Sequence, residues 1–251
     1  MPQLPKDLFS EHAELYARYR PLYPKQLFDF ILQHVKHKNK ALDCGTGNGQ
    51  AAGALADYFK EVHGTDISQK QIERAIAKPN MTYHLTVAEK LPFKANEFDL
   101  VTAATSLHWF HIDKFYEEVN RVAKNNAVFA TWAYNVLQTH NDKINELIQD
   151  FYHNIIYSYW NAERKYVDQE YKTIPFPFSE IKNPGFATRL QWDFETLEGY
   201  LNTWSAVQKF IKQNAYNPVD DLIKKMKSIV GEKTMMQVSF PVFMRIGIIK
   251  K

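Results

Sequence analysis

Apolar positions in the first half of the chain switch between two periods. Short apolar runs at 40–44, 62–66, 82–87, 98–104 and 126–134 read as strands. Between them, apolar residues recur at three and four positions. Segment 50–59 places Ala51, Ala54, Leu55 and Tyr58 on one side of a helix, and 69–78 reads as a helix stopped at Pro79. Segment 113–123 places Phe115, Tyr116, Val119 and Val122 on one helical face. Strands alternating with helices at this pitch predict parallel βαβ units.

Near Asn135 the pattern changes. Ile144, Leu147, Ile148, Phe151, Tyr152, Ile155, Ile156, Tyr159 and Trp160 predict one long amphipathic helix over 144–160. A polar, proline-containing stretch follows at 161–184. Then come a strand at 186–194, helices at 197–211 and 219–230, and a closing strand at 240–249. Gly231 ends the last helix. Two late strands complete a seven-stranded, doubly wound sheet. The expected organisation is one domain over 1–251. It comprises a leader or cap (1–37), a core (38–134), a helical insertion or lid over the sheet's C-terminal edge (135–184) and closing strands and helices (185–251).

Composition narrows the class. The 251 residues are 45% hydrophobic and 24% charged, with 31 Lys and Arg against 28 Asp and Glu. A net charge of +3 without a basic block gives no nucleic-acid signature, so no nucleic-acid partner is expected. No apolar run approaches the roughly 20 residues of a spanning helix, so no membrane partner is expected. The first residues lack the apolar stretch of a secretory signal, and the single Cys44 suits a reducing compartment, so the expected location is cytoplasmic.

The most informative segment runs Asp43-Cys44-Gly45-Thr46-Gly47-Asn48-Gly49-Gln50, between a strand and a helix. Glycines there admit conformations barred to other residues and bring backbone close to a ligand. The helix that starts near Gln50 presents free N–H groups. Asp66 ends the next strand, where an acid of a doubly wound sheet reaches ribose hydroxyls. A dinucleotide fingerprint needs a third glycine or alanine at position 50, which is Gln50. Asp43 would repel a pyrophosphate and suits a cationic amine. The loop therefore favours an amino-acid-bearing nucleoside over NAD.

These residues resemble motifs I and II of the class I S-adenosylmethionine-dependent methyltransferases. Ala88-Glu89-Lys90-Leu91-Pro92-Phe93 and Glu97-Phe98-Asp99-Leu100-Val101 extend the likeness, which covers about 38–134. The leader Tyr16-Ala17-Arg18-Tyr19-Arg20-Pro21-Leu22-Tyr23-Pro24 is similar to that of the trans-aconitate methyltransferase-like subgroup. So are Ser106-Leu107-His108-Trp109-Phe110 and the later Tyr200-Leu201 and Trp204-Ser205. The resemblance implies a Rossmann-like sheet with an antiparallel last strand. It implies S-adenosylmethionine as cofactor, with S-adenosylhomocysteine as product. Asp43 would act at the cofactor's amino end, directly or through water. Gly45, Thr46, Gly47 and Ser106 would border the methionine part, Asp66 would hold the ribose, and Ile67, Ala88 and Glu89 would meet adenine. Many relatives carry Asp where this chain has Val87, so the adenine contact falls to backbone or Glu89.

Methyl transfer from a sulfonium is an in-line displacement that needs alignment and exclusion of water. The expected acceptor is a small molecule. A carboxylate needs no general base; an amine or phenol calls for one. His108, Trp109 and Trp132 lie near the ends of two strands, and Arg20 is the candidate anion anchor. His108 and His111 form no metal motif, and no metal is expected. Cys44 reads as a small buried hydrophobe. The competing readings are an NAD-dependent oxidoreductase and a non-catalytic S-adenosylmethionine-binding protein.

Overall fold

The computed structural model describes residues 19–251. Tyr16, Ala17 and Arg18 of the leader motif lie outside them. Helix α1 (Lys25–Gln33) leads into β1 (Lys40–Cys44), α2 (Gln50–Leu55), β2 (Glu61–Asp66), α3 (Gln69–Ile72), β3 (Met81–Leu85) and β4 (Phe98–Ala104). Next come α4 (Ile112–Val122), β5 (Ala123–Tyr134), the short β6 (Gln138–Thr139), α5 (Asp142–Asp150) and α6 (Arg164–Asp168). The chain closes with β7 (Ser179–Glu180), β8 (Phe186–Trp192), α7 (Phe194–Asn202), α8 (Ser205–Asn214), α9 (Pro218–Val230) and β9 (Met236–Ile248).

The sheet runs β3-β2-β1-β4-β5-β9, with β8 on the far side of β9. The first five strands are parallel, and β9 is antiparallel to β5 and β8. Seven full strands result, and the two-residue strands β6 and β7 extend the rows on either side of β9. The chain reverses direction of winding between β1 and β4. Ligands of open α/β sheets bind outside the strand ends at such a switch point.

Alternate residues of each central strand enter two different cores. Ala41, Leu100, Val128, Ala130 and Trp132 join one; Leu42, Cys44, Val101, Ala103, Phe129 and Ala133 join the other. This is the alternation of a sheet covered on both faces. The segment after β5 feeds both cores. Ile144, Ile148, Phe151 and Tyr152 pack into the first, Val167, Tyr171 and Ile174 into the second. It therefore passes from one face of the sheet to the other.

Four expected helices are shorter than their periodicity; the one expected over 50–59 ends at Leu55 in a turn over 56–58. The helix expected over 69–78 stops at Ile72, because the rest of the segment braces the glycine loop. Ile76 N–H donates to Asn48 O, and Tyr83 Oη donates to Ile76 O at 2.6 Å. The helix expected over 144–160 ends at Asp150, followed by a π turn at Phe151–Ile155 and a tight turn at Tyr157–Tyr159. The β-branched and aromatic residues there carry low helix propensity, and a single π turn interrupts the α-helix. The helix expected over 197–211 breaks at Thr203, whose hydroxyl donates to Tyr200 O at 2.6 Å. Among the described residues, no helix is long and apolar enough to cross a membrane.

Candidate active site

The loop after β1 turns three times through the left-handed region, at Gly45 (φ 64°), Gly47 (φ 55°) and Gly49 (φ 81°). A Cβ at Gly45 would lie 2.6 Å from Ser106 Cβ, so this backbone must pass bare against the end of β4. Ser106 closes that contact by donating its hydroxyl to Cys44 O at 2.7 Å. At Gly47 a Cβ would meet nothing within 4 Å, so the loop's outer face is open to a ligand. Thr46 N–H donates to Thr65 O at 2.9 Å, which ties the loop to β2.

The two acids of the loop are placed differently. Asp66 ends β2, half-buried; Oδ2 accepts from Gly47 N–H at 2.8 Å and Oδ1 from Ser68 N–H at 2.9 Å. A carboxylate at this strand end is the acceptor that ribose hydroxyls require. Asp43 lies fully buried behind the loop, its oxygens taken by the hydroxyls of Thr46 and Thr102, both at 2.7 Å. Burial pushes its carboxyl up to about 6, against the pull of those hydroxyls. Asp43 thus shapes the loop and acts on anything outside it through its field.

Beside Asp66, two apolar side chains are left exposed at adjacent strand ends. Ile67 follows the acid, and Leu85 is its register partner on β3, 57% exposed. Together they form an apolar ledge beside the carboxylate. Ala88 is buried in the second core. Glu89 Oε1 accepts from His111 N–H at 2.6 Å and so caps α4. The open loop, the braced acid and the apolar ledge fit a nucleoside with an amino-acid tail.

Past the ends of β4 and β5 lies a second space, a cavity of about 70 Å³. Arg20, His108 and Trp109 line it together. The walls add Thr105, Tyr134, Trp160, Tyr200 and Trp204. Arg20 donates from Nη1 to Tyr134 Oη at 2.6 Å, and its guanidinium sits 5.7 Å from the Tyr134 ring centre and 5.4 Å from that of Tyr200. Among the described residues no Asp or Glu lines the cavity.

A second cation, Arg164 of α6, also lines the cavity; the sequence reading did not single it out. Its Nε donates to Tyr152 Oη at 2.7 Å and Asp168 Oδ1 at 3.1 Å. Its guanidinium lies 4.8 Å from the Trp160 ring centre and 5.4 Å from that of Tyr152. Nε is thus tied back to Tyr152 and Asp168. No period marks position 164 in its polar stretch, so only the fold could reveal it. His108, buried, meets Tyr171 Oη through Nδ1 at 2.8 Å. Burial, with Arg164 alongside, pushes its pKa down to about 3.

Two candidates behave as core. Trp132 is fully buried against the rings of Tyr23 and Phe28 and does not line the cavity. It sits on the face of β5 that turns toward α1, which removes it from the acceptor residues. Cys44 is fully buried, and burial pushes its thiol far up, so no thiolate forms there.

A profile of methyltransferase domains matches residues 42–131. A Dictyostelium discoideum protein named as a methyltransferase is 33% identical over 245 residues, 95% of this chain and 93% of its own. A solved structure from Anaeromyxobacter dehalogenans, described as a type II methyltransferase, superposes with a TM-score of 0.86 at 33% identity. It covers 92% of this chain and 99% of that one. A Saccharomyces cerevisiae protein named as an S-adenosylmethionine-dependent methyltransferase is 29% identical over 140 residues, 52% of this chain and 47% of its own.

Proposed function

Since the chain belongs to the class I S-adenosylmethionine-dependent methyltransferases, with S-adenosylmethionine as its cofactor, we propose that it methylates a small-molecule carboxylate held between Arg20 and Arg164. The observation that carries this reading is the cavity itself, which two ring-stacked guanidinium groups line together. A guanidinium edge matches a carboxylate bidentately, and stacking fixes it in advance.

In this reading Asp66 takes the ribose hydroxyls, and the backbone of Gly45, Thr46 and Gly47 borders the methionine part with Ser106. Ile67 and Leu85 flank adenine above the buried Ala88. Glu89 spends one oxygen on His111 N–H and keeps the other for the adenine edge. Val87 offers no acceptor in its side chain. When bound, the cofactor supplies an activated methyl whose bond to sulfur breaks as a carboxylate lone pair forms the new C–O bond. No proton leaves the acceptor, so the cavity needs no base. Arg20 and Arg164 orient the acid, and the surrounding rings exclude water.

The test has two stages. Calorimetric titration with S-adenosylmethionine, S-adenosylhomocysteine and NAD should show binding of the two sulfur nucleosides and none of NAD. A panel of small carboxylic acids, amines and phenols, with labelled methyl donor, should then give transfer to acids alone. Transfer confined to amines or phenols overturns the carboxylate reading. Arg20→Ala should weaken the accepted acid at least about tenfold more than it weakens the cofactor, as expected for a lost charged hydrogen bond.

A further inference from the structure

We propose that His108 enters the acceptor cavity as the neutral Nε2–H tautomer, set there by Tyr171, and holds the acceptor's oxygen as a hydrogen-bond donor. This rests on the carboxylate reading of the cavity for the identity of the held group, but the tautomer follows from the protein alone. Tyr171 is fully buried; its hydroxyl lies 2.8 Å from His108 Nδ1, and the backbone N–H of His108 is directed at the same oxygen. Two arrangements satisfy that distance. If Nδ1–H donates to Tyr171, the phenol proton is buried with no acceptor, a cost of about 1–3 kcal/mol. If Tyr171 donates to Nδ1, both groups are satisfied, and the ring's proton sits on Nε2.

The ring's orientation gives that proton its use. The Nδ1 edge faces Tyr171, which does not line the cavity, whereas His108 does; the opposite, Nε2 edge is accordingly assigned to the cavity. The charged and titratable groups around the ring are Tyr171, Arg164 of α6, Arg20, and Tyr134 and Tyr200 across the cavity. Among the described residues the cavity lining holds no carboxylate to stabilise an imidazolium; Asp168 of α6 is engaged by Arg164 and Tyr152, and Arg164 opposes a charge on the ring. A base here would be too weak to deprotonate an amine or phenol, whereas an N–H donor suits an oxygen that is already anionic. Tyr171 is then a positioning residue: it touches no substrate and sets which nitrogen of His108 carries the proton.

The test reads the ring directly. Enzyme labelled with ¹⁵N-histidine gives long-range ¹H–¹⁵N spectra between pH 5 and 8, and the spectrum of His108→Gln assigns the His108 signals by difference. The expected wild-type pattern is an unprotonated Nδ1 and a protonated Nε2, unchanged across that range. A protonated Nδ1, or a ring that gains a second proton on the way to pH 5, overturns the proposal. Tyr171→Phe, checked for retained fold by circular dichroism, should mix the two tautomers. An unmixed pattern in that variant removes Tyr171 from the role. With the carboxylic-acid panel as probe, His108→Gln, which keeps a donor but no base, should hold kcat within about threefold. His108→Ala should lose about tenfold or more, the scale of one hydrogen bond to a charged group. Equal loss in both variants counts against the donor role. A panel that yields no methylated acid defeats the carboxylate reading and leaves the tautomer result standing; a protonated Nδ1 does the reverse.

Discussion

The two halves of the site are built with opposite charge and by opposite means. Around the glycine loop the fixed groups are acids, Asp43 and Asp66, held by hydroxyls and backbone N–H groups at 2.7–2.9 Å. Around the cavity they are guanidiniums, Arg20 and Arg164, held mainly against aromatic rings. A sulfonium with an ammonium tail suits the first half, and an anion suits the second. The loop is clamped by hydrogen bonds to β2 and to Ser106 just past β4, and each guanidinium adds a hydrogen bond of its own to the hydroxyl of a ring that holds it.

The most damaging change to this arrangement is Gly45→Val. It places a β-branched residue at φ 64° and a Cβ within 2.6 Å of Ser106 Cβ. Strain and overpacking together should cost about 3 kcal/mol or more. Denaturant unfolding should show that loss, and calorimetry should show cofactor binding abolished while the acid-lined half is disordered. A variant of wild-type stability would mean that the close approach of loop and β4 is not needed.

Asp43→Asn acts on the same half with the opposite sign. The folded state raises the Asp43 carboxyl to about 6, so folding holds its proton more tightly than the unfolded chain does. Wild-type stability therefore falls as pH rises through roughly 4 to 6, by up to roughly 3 kcal/mol. The neutral variant lacks that loss. Its melting temperature should match wild type near pH 4 and exceed it near pH 7. An equal difference at both values would show that Asp43 does not titrate in this window.

Asp66→Ala and Arg164→Ala test the separation of the halves. The first should weaken S-adenosylhomocysteine at least about tenfold, some 1.4 kcal/mol, and strand the Gly47 and Ser68 N–H groups that it accepts from. The second should leave that affinity within about twofold and raise the acceptor's KM about tenfold. If both variants lose cofactor and acceptor alike, the charge division is not a functional one.

The sequence exposes these halves unequally, for a physical reason. Asp43, Gly45, Gly47 and Asp66 sit in one strand–loop–helix–strand unit, where local spacing dictates spatial proximity, and the strand periods that frame them survive folding. The cavity is assembled from the chain near residue 20, the end of β4, the end of β5, α6 and the α7–α8 break. His108, Trp109 and Arg20 carried signals of type and position. Arg164, Tyr171 and Tyr200 acquire their placement from tertiary packing. The aromatic stripe at 144–160 repeats as a helix does, yet the chain leaves the α-helix after Asp150, and that departure precedes the turn that carries Trp160 to the wall and Arg164 beside it.

The smallest effect is expected where neither half reaches. Trp132 lies on β5 two positions before the cavity residue Tyr134, yet it is fully buried, edge-on to Tyr23 at 5.5 Å and Phe28 at 5.9 Å. Its Nε1–H is buried with no hydrogen-bond partner. Trp132→Phe removes that orphan donor, worth about 1–3 kcal/mol in relief, and leaves a void whose cost is of similar size. The two terms oppose each other, so stability should change by no more than about 1 kcal/mol in either direction. Cofactor affinity and acceptor KM should both stay within about twofold. A selective rise in acceptor KM would return Trp132 to the cavity wall and extend the acceptor half beneath β5. A loss of stability well beyond 1 kcal/mol would mean that the indole's bulk outweighs its unpaired N–H, and that the core under both halves is packed more tightly than the orphan donor implies.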